Sequence, residues 1–269
     1  MSEEPAGGVL RMYHIPGCPF SERVEILLSL KGLHHVMEDM EIDISKPRPD
    51  WLLKKTRGTT ALPALELENG ETMKESMVIM RYFDERFAEP QVRRADPWEH
   101  ALESMLCATD GAFTGAGYRM ILNRDPAQRE ALKAEVDAQY ARLDAFLEDC
   151  APGRDFLFDR FGWAEVTFAP MFKRLWFLEY YEDYAVPQNL VRVLRWREAC
   201  LAHPAVAALH GHRELMTLYY DYAQGGGNGR LPEGRQVSSF TLTPRWDQRP
   251  MPPREKWGRA ASDAELGLV

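Results

Sequence analysis

Cys18 stands directly before a proline in the stretch HIPGCPFSERVEILLSLKGL, after a Pro–Gly pair and ahead of apolar residues at helical spacing. A thiol at the start of a helix meets unpaired amides and the positive end of the helix dipole, which favour the thiolate and lower the thiol pKa. Ser21 occupies the place where a dithiol oxidoreductase would carry its second cysteine. Cys18 therefore cannot close an internal Cys-x-x-Cys disulfide, and any disulfide cycle through it needs an external thiol. The plain alternative is an inert cysteine buried beside a turn proline. Two further signals stand where such a site would use them. Leu62–Pro63 follows 44 residues after the cysteine. A cis proline there would leave the Leu62 amide and carbonyl open to strand-like pairing with a peptide, whereas the alternative is an ordinary strand-entry proline. Glu75–Ser76 opens a helix whose amides and serine hydroxyl suit a carboxylate, or simply cap the helix.

These groups need elements to hold them. Residues 9–14 (VLRMYH) predict a strand, and Pro19 suits the first position of a helix ended by Gly32. A second strand is expected over 36–44, where Met40, Ile42 and Ile44 alternate, and a helix over 51–57 stopped by Gly58. Residues 65–67, the Asn69–Gly70 turn and 72–73 predict a hairpin. A helix over 76–87 follows, with Val78, Ile79, Tyr82 and Phe83 on its apolar side. The order β-α-β-α-β-β-α is that of a thioredoxin-like unit, and it sets the first domain at 1–90. Residues 88–97 form a polar, proline-bracketed linker, and helical periodicity then fills a second domain over 98–224. Its helices are expected at 98–123, 129–150, 163–181, 188–202 and 214–222. In 129–150 the stripe is Leu132, Val136, Tyr140, Leu143 and Leu147. The fold class is α+β. The extension 225–269 begins with GGGNG and carries five further prolines, a composition usual for disorder. Phe240, Trp246 and Trp257 argue instead for a segment that packs back.

Asp and Glu outnumber Lys and Arg by 41 to 33, a formal charge of -8, which argues against nucleic acid or an anionic membrane as partner. The N-terminus MSEEPAGG has neither the basic start nor the apolar core of a secretory signal, and no window is apolar enough to span a bilayer. The four cysteines, Cys18, Cys107, Cys150 and Cys200, are scattered and fit a reducing cytoplasm. His34–His35 and His210-x-His212 lack the carboxylate spacing of a metal site, and GAFTGAG at 111–117 lacks the strand that precedes a phosphate loop. Neither a metal nor a nucleotide is expected.

Cys-Pro-Phe at 18–20, Leu-Pro at 62–63, Glu-Ser at 75–76 and the HPAV segment at 203–206 together resemble omega-class glutathione transferases. The likeness covers most of residues 9–224 and implies a thioredoxin-like domain followed by the all-α transferase domain. It implies glutathione as co-substrate, held by Pro19, Phe20, Leu62, Pro63, Glu75 and Ser76, with Arg48 near the glycyl end. Gly162–Glu165 departs from the family's Ser/Thr-to-Asp capping box, for which a small stability effect is expected. The stretches YHIPGCPFSERVEI, EIDISKPRPDWLL, GAGYRMILNR, RLWFLEYYEDY, LYYDYAQGGGNGR and RPMPPREKWG further resemble the glutathione lyases of bacterial lignin β-aryl ether breakdown.

That resemblance implies a substrate: a small aromatic glutathione conjugate, its sulfur on the carbon next to a ketone. Cys18 would take the glutathionyl sulfur, and a donor would steady the enolate that leaves. Tyr219 or Tyr220 is the candidate donor. Phe113, Tyr118, Arg119, Trp176, Tyr180 and Tyr222 are candidates for the substrate's surroundings, although an aromatic stripe at helical spacing is often core. Tyr13 and Ser21 keep open the reverse chemistry, in which a hydroxyl ionises glutathione's own thiol for conjugation. General thiol transfer, such as dehydroascorbate reduction, uses the same Cys18, and a catalytically silent binding scaffold is the alternative from another class. The family also implies a homodimer.

Overall fold

The computed structural model describes residues 8–269, so the leader-like pattern sought at residues 1–7 lies outside the described residues. Strand β1 (Leu10–His14) is buried along its whole length, as a central strand must be. After it come α1 (Pro19–Lys31), β2 (Met37–Glu41), α2 (Asp50–Lys55), β3 (Ala64–Glu66), β4 (Thr72–Lys74) and α3 (Ser76–Arg86). β1 pairs parallel with β2 and antiparallel with β3, and β3 pairs antiparallel with β4, giving the order β2-β1-β3-β4. This is the thioredoxin-like arrangement, in a unit that ends at Arg93.

Two expectations for this unit need correction. The strand expected over 36–44 covers only Met37–Glu41, because His34–Val36 form a 3-10 turn and the chain leaves the sheet after Glu41. Ile42 and Ile44 alternate because they pack, from a loop, on the cluster of Tyr13, Ile15, Leu52, Leu62 and Ala64. Helix α3 buries Ser76, Ile79, Met80, Phe83 and Asp84, while Val78 is 49% exposed. Its inward face is turned by the buried Lys31–Asp84 ion pair, 2.8 Å long. Lys31 also donates to the Pro90 carbonyl at 2.6 Å, and Asp84 accepts from the amides of Val92 and Arg93 at 3.1 and 3.2 Å. A buried ion pair is costly unless its remaining valences are met, and these bonds meet most of them.

The second unit runs from Arg94 to Val269. It contains α4 (Pro97–Cys107), α5 (Asp110–Leu122), α6 (Arg129–Cys150), α7 (Trp163–Arg174), α8 (Trp176–Tyr181), α9 (Val191–Ala202), α10 (Pro204–Ala207), α11 (His212–Leu218) and α12 (Tyr220–Ala223). α6 has the expected bounds, and Val136, Tyr140, Leu143 and Leu147 are its buried stripe. Three helices expected to be continuous are broken: at 108–109, at Leu175 and at Tyr219. The Thr109 hydroxyl, for one, returns to the Leu106 carbonyl at 2.7 Å, the local bond by which Thr competes with helix continuation. The GAFTGAG run lies inside α5. There a Cβ at Gly117 would fall 2.2 Å from Leu175 Cδ2, so the glycine permits a close approach by Leu175.

Residues 225–269 hold no regular element beyond the 3-10 turn Trp246–Gln248, yet they pack on their own unit. Phe240 and Trp246 are buried and Trp257 is half-buried, which overturns the disorder reading of the composition. A chain without helix or sheet must find other donors for its carbonyls. Arg249 supplies the Ser239 and Pro244 carbonyls at 2.7 Å, and Arg213 reaches the Arg249 carbonyl at the same distance. Arg124 meets the Gly258 carbonyl at 3.2 Å. Asp221, fully buried in α12, accepts from Arg235 at 3.1 Å and from the Ser239 hydroxyl and amide at 2.5 and 2.9 Å. Among the described residues no helix is long and apolar enough to cross a membrane.

Candidate active site

The chain leaves β1 through a tight turn in which Cys18 N–H donates to the Ile15 carbonyl at 3.0 Å. Pro16 and Gly17 are its central residues, and Gly17 has φ 71°, the left-handed value that a type II turn requires there. Cys18 is thus the N-cap of α1, with extended backbone (φ -77°, ψ 126°), and its carbonyl accepts the Glu22 amide at 3.0 Å. Pro19 takes the first helical position, and the Cys18 side chain makes no capping bond. The thiol is half-buried, outside any disulfide, and packs on the cluster that contains Tyr13, Ile15 and Leu52. Phe20, 38% exposed, carries the Arg23 guanidinium 5.2 Å from its ring centre.

Leu62 belongs to the same apolar cluster, so the fold brings Cys18 and Leu62 together. The Leu62–Pro63 peptide is cis. Neither the Leu62 amide nor its carbonyl meets a hydrogen-bond partner among the described residues. Glu75, rather than Ser76, is the N-cap of α3; its side chain is exposed and makes no capping bond, and its backbone takes φ 69°. A left-handed backbone at a residue with a Cβ carries strain that the surroundings must hold. Ser76 is the buried first residue of the helix. Arg48 sits on the loop after β2 and points a nitrogen at the Asp43 and Lys46 carbonyls, both 3.4 Å away. Its Nε is buried without a partner among the described residues. Burial lowers the Arg48 pKa, against the pull of Asp43.

The two hydroxyls that could have ionised glutathione are both turned inward. Tyr13 is fully buried and donates to Glu66, whose carboxylate also takes the Lys55 ammonium at 2.6 Å. Burial acts to raise the Glu66 pKa, but the bonds from Lys55 and Tyr13 outweigh it and hold the carboxyl below its usual range. Ser21 is fully buried on α1. Cys18 is therefore the one group of the three that solvent reaches.

The helical unit places its aromatic candidates in four separate settings. Phe113 is 1% exposed, with Tyr140, Phe168 and Phe172 centred 5.1, 5.8 and 5.6 Å away, and so is a core ring. Trp176 and Tyr180 pack on His212, and the Tyr180 hydroxyl donates to the Pro252 carbonyl at 2.6 Å. Arg119 is on the surface, paired with Glu135 at 2.7 Å. Tyr118, Tyr219 and Tyr222 form the third group, with Phe177 and Phe240 around them. Tyr220, about 100° round the helix from its neighbour, points elsewhere; its hydroxyl accepts the Ala261 amide at 2.6 Å.

Within the third group Tyr118 donates to the Tyr219 hydroxyl at 3.1 Å. Burial first, then the neighbouring Tyr219 and Tyr222, raise the Tyr118 pKa well above the ordinary tyrosine value, and Arg174 opposes them. The Tyr222 hydroxyl donates to Asn228 at 2.7 Å. Phe240, read from the sequence only as a packing residue, thus covers two candidate tyrosines. The sequence signal for Arg174 is slight, a basic pair set among apolar residues in FKRLWF. Among the described residues no group of three or more His, Cys, Asp or Glu is placed to hold a metal ion.

Two family models match the chain: Glutathione S-transferase, N-terminal domain, over residues 12–91, and Glutathione S-transferase, C-terminal domain, over residues 126–210. Glutathione S-transferase omega-1 of Sus scrofa is 26% identical over 203 residues, covering 76% of this chain and 81% of that protein. Among solved structures, glutathione transferase Omega 3C from Trametes versicolor superposes with a TM-score of 0.63 at 20% identity, over 75% of this chain and 88% of that one. The Tau class transferase MiGSTU from mango, Mangifera indica, reaches a TM-score of 0.68 at 19% identity, over 78% and 96%. At these identities the two structures speak to the fold alone.

Proposed function

The chain belongs to the glutathione S-transferase family, with omega-class relatives, and from that premise we propose that it is a Cys18-dependent glutathione lyase. Its substrate in this reading is an aryl ketone carrying glutathione on the adjacent carbon, of the kind formed in lignin β-aryl ether breakdown. The observation that carries the reading is the half-buried Cys18 at the start of α1, beside a Tyr13 and a Ser21 that are both fully buried. Glutathione is the co-substrate, its cysteinyl backbone assigned to Leu62, its γ-glutamyl end to Glu75 and Ser76, and its glycyl end to Arg48. Pro19 and Phe20 complete that set.

The Cys18 thiolate attacks the glutathionyl sulfur, a sulfur–sulfur bond forms, and the carbon–sulfur pair leaves with carbon as an enolate. Tyr219 donates a hydrogen bond to the enolate oxygen, where the negative charge develops. A second glutathione then attacks the mixed disulfide, releasing oxidised glutathione and returning the Cys18 thiolate. The proton of that second thiol balances the one taken up by the enolate carbon, so conjugate plus glutathione becomes ketone plus oxidised glutathione. Tyr118 and Tyr222 flank the aryl part in this reading. Phe113 is a core ring rather than a substrate contact, and Tyr220 holds the extension. A cytoplasmic homodimer is the form in which we expect it to act.

The test compares the protein with Cys18→Ala on glutathione plus an aryl α-glutathionyl ketone, reading free ketone, oxidised glutathione and the intact mass of the protein. Turnover at least a thousandfold above the variant, roughly the scale of a lost nucleophile, with a glutathione adduct on Cys18, is expected. Absent ketone release beside brisk dehydroascorbate reduction would sink the lyase reading and leave a general thiol transferase.

A further inference from the structure

We propose that α8 and the start of α11 form a binding site for a proline-rich, basic peptide, filled in this chain by its own residues 249–254 and open to a peptide of the same kind offered in trans. The site lies wholly within the helical unit and is independent of the chemistry at Cys18. Residues 249–254 read Arg-Pro-Met-Pro-Pro-Arg. Each proline fixes its own φ at about -65° and pushes the residue before it to extended backbone, so this sequence favours a polyproline II helix. Arg249 has the φ -80° and ψ 153° of that helix. Among the described residues no main-chain hydrogen bond runs within 249–254, as such a helix requires.

A polyproline II helix has three residues per turn, so carbonyls three residues apart face the same side. Here the Arg249 carbonyl accepts from Arg213 of α11 at 2.7 Å, and the Pro252 carbonyl accepts from the Tyr180 hydroxyl of α8 at 2.6 Å. Pro252 is buried, while Pro250 and Pro253 are exposed. Trp176 and Tyr180, both half-buried, are centred 5.6 and 5.9 Å from the exposed His212 ring and give the site its aromatic wall. Arg254 lies 5.3 Å from the Tyr180 ring centre, donates to the Tyr180 carbonyl at 3.0 Å and pairs with Asp183. An aromatic-lined groove is the general means of holding proline-rich segments, because their helix is preformed and loses little entropy on docking. Nothing in these contacts requires the peptide to be attached. The attached segment competes at an effective concentration of about millimolar, so a free peptide gains access when that segment is loosened. The buried Lys256–Glu182 pair lies beyond the site and holds the rest of the extension in place.

The experiment uses the full-length protein and a fluorescein-labelled peptide of sequence RPMPPRE, with binding read by fluorescence anisotropy. In the double variant Pro252→Gly/Arg254→Ala the attached segment loses one proline's pre-organisation and its ion pair, and peptide affinity should rise about tenfold over the unsubstituted protein. Adding Tyr180→Phe and Asp183→Ala to that variant should take the gain away. A peptide with its three prolines replaced by alanine carries the same charge and should not bind. No gain in the folded double variant overturns the proposal. So does a gain that survives Tyr180→Phe and Asp183→Ala, or equal binding of the alanine peptide. If the double variant does not fold, Arg254→Ala alone decides, since it alters one exposed side chain: an affinity no higher than that of the unsubstituted protein overturns the proposal.

Discussion

Tyr13 lies in β1, close in sequence to Cys18, where a transferase that ionises glutathione with a tyrosine could have used it. Its hydroxyl instead closes a buried chain with Glu66 and Lys55, so its proton is committed to a carboxylate. Tyr13→Phe should therefore leave Cys18-dependent turnover within about twofold while costing roughly 1.5–3 kcal/mol of stability, the worth of a buried bond to a charged group. Parallel urea unfolding and ketone assays check both halves, and a collapse of turnover would return Tyr13 to the chemistry. The residues around Cys18 were legible in the sequence because local rules place them: a proline at the first helical position, a glycine where φ must be positive. The Tyr13–Glu66 bond and the Arg174–Tyr219 bond were not, since their partners are 53 and 45 residues apart and only packing joins them.

Helices were read well where one face is uniformly apolar, as in α6, and poorly where a long apolar run hides a change of direction. The breaks at Leu175 and Tyr219 fall inside aromatic stretches with no proline or glycine at the break, so periodicity carried the expectation straight through them. α7 shows a second kind of shortfall. Gly162 has no side chain to complete a capping box, which suggested a weak start to the helix. Glu165 nevertheless accepts the Gly162 amide at 2.9 Å, the Leu157 amide at 2.8 Å and the Trp196 indole N–H at 2.8 Å. The carboxylate is thus the junction of helix, preceding loop and α9. Glu165→Ala strands three buried donors and should cost about 3 kcal/mol or more, read as a lower urea midpoint. A loss below about 1 kcal/mol would mean that water replaces the carboxylate at all three.

At the scale of the whole chain, the extension is where composition left two readings open: glycines and prolines suggested disorder, Phe240, Trp246 and Trp257 suggested packing, and neither signal shows which charges pair. Arg235 joins Asp221 and Asp263, and both amides after it, Gln236 and Val237, bond Asp263 as well. Burial acts to raise the Asp263 pKa, but these partners outweigh it, and the carboxyl is held below its usual range. A depressed carboxyl contributes stability above its unfolded pKa, about 3.9, that fades as pH falls through the folded value. The protein should accordingly lose melting temperature as it is acidified below about pH 4, and Asp263→Asn should be less stable at pH 7 with a flatter acid limb. Identical acid limbs in the two proteins would remove Asp263 from the extension's anchoring.

The position of Asp221 also bears on the order in which this protein can be made. As α12 leaves the ribosome, its buried carboxylate has none of its lasting partners, because Arg235, Ser238 and Ser239 are still inside the exit tunnel. Tyr220 likewise waits for Ala261, 41 residues later. The thioredoxin-like unit is complete in the nascent chain long before that, whereas the helical unit must stay open at α12 until the extension arrives to neutralise it. Chaperone engagement during translation should concentrate on that interval.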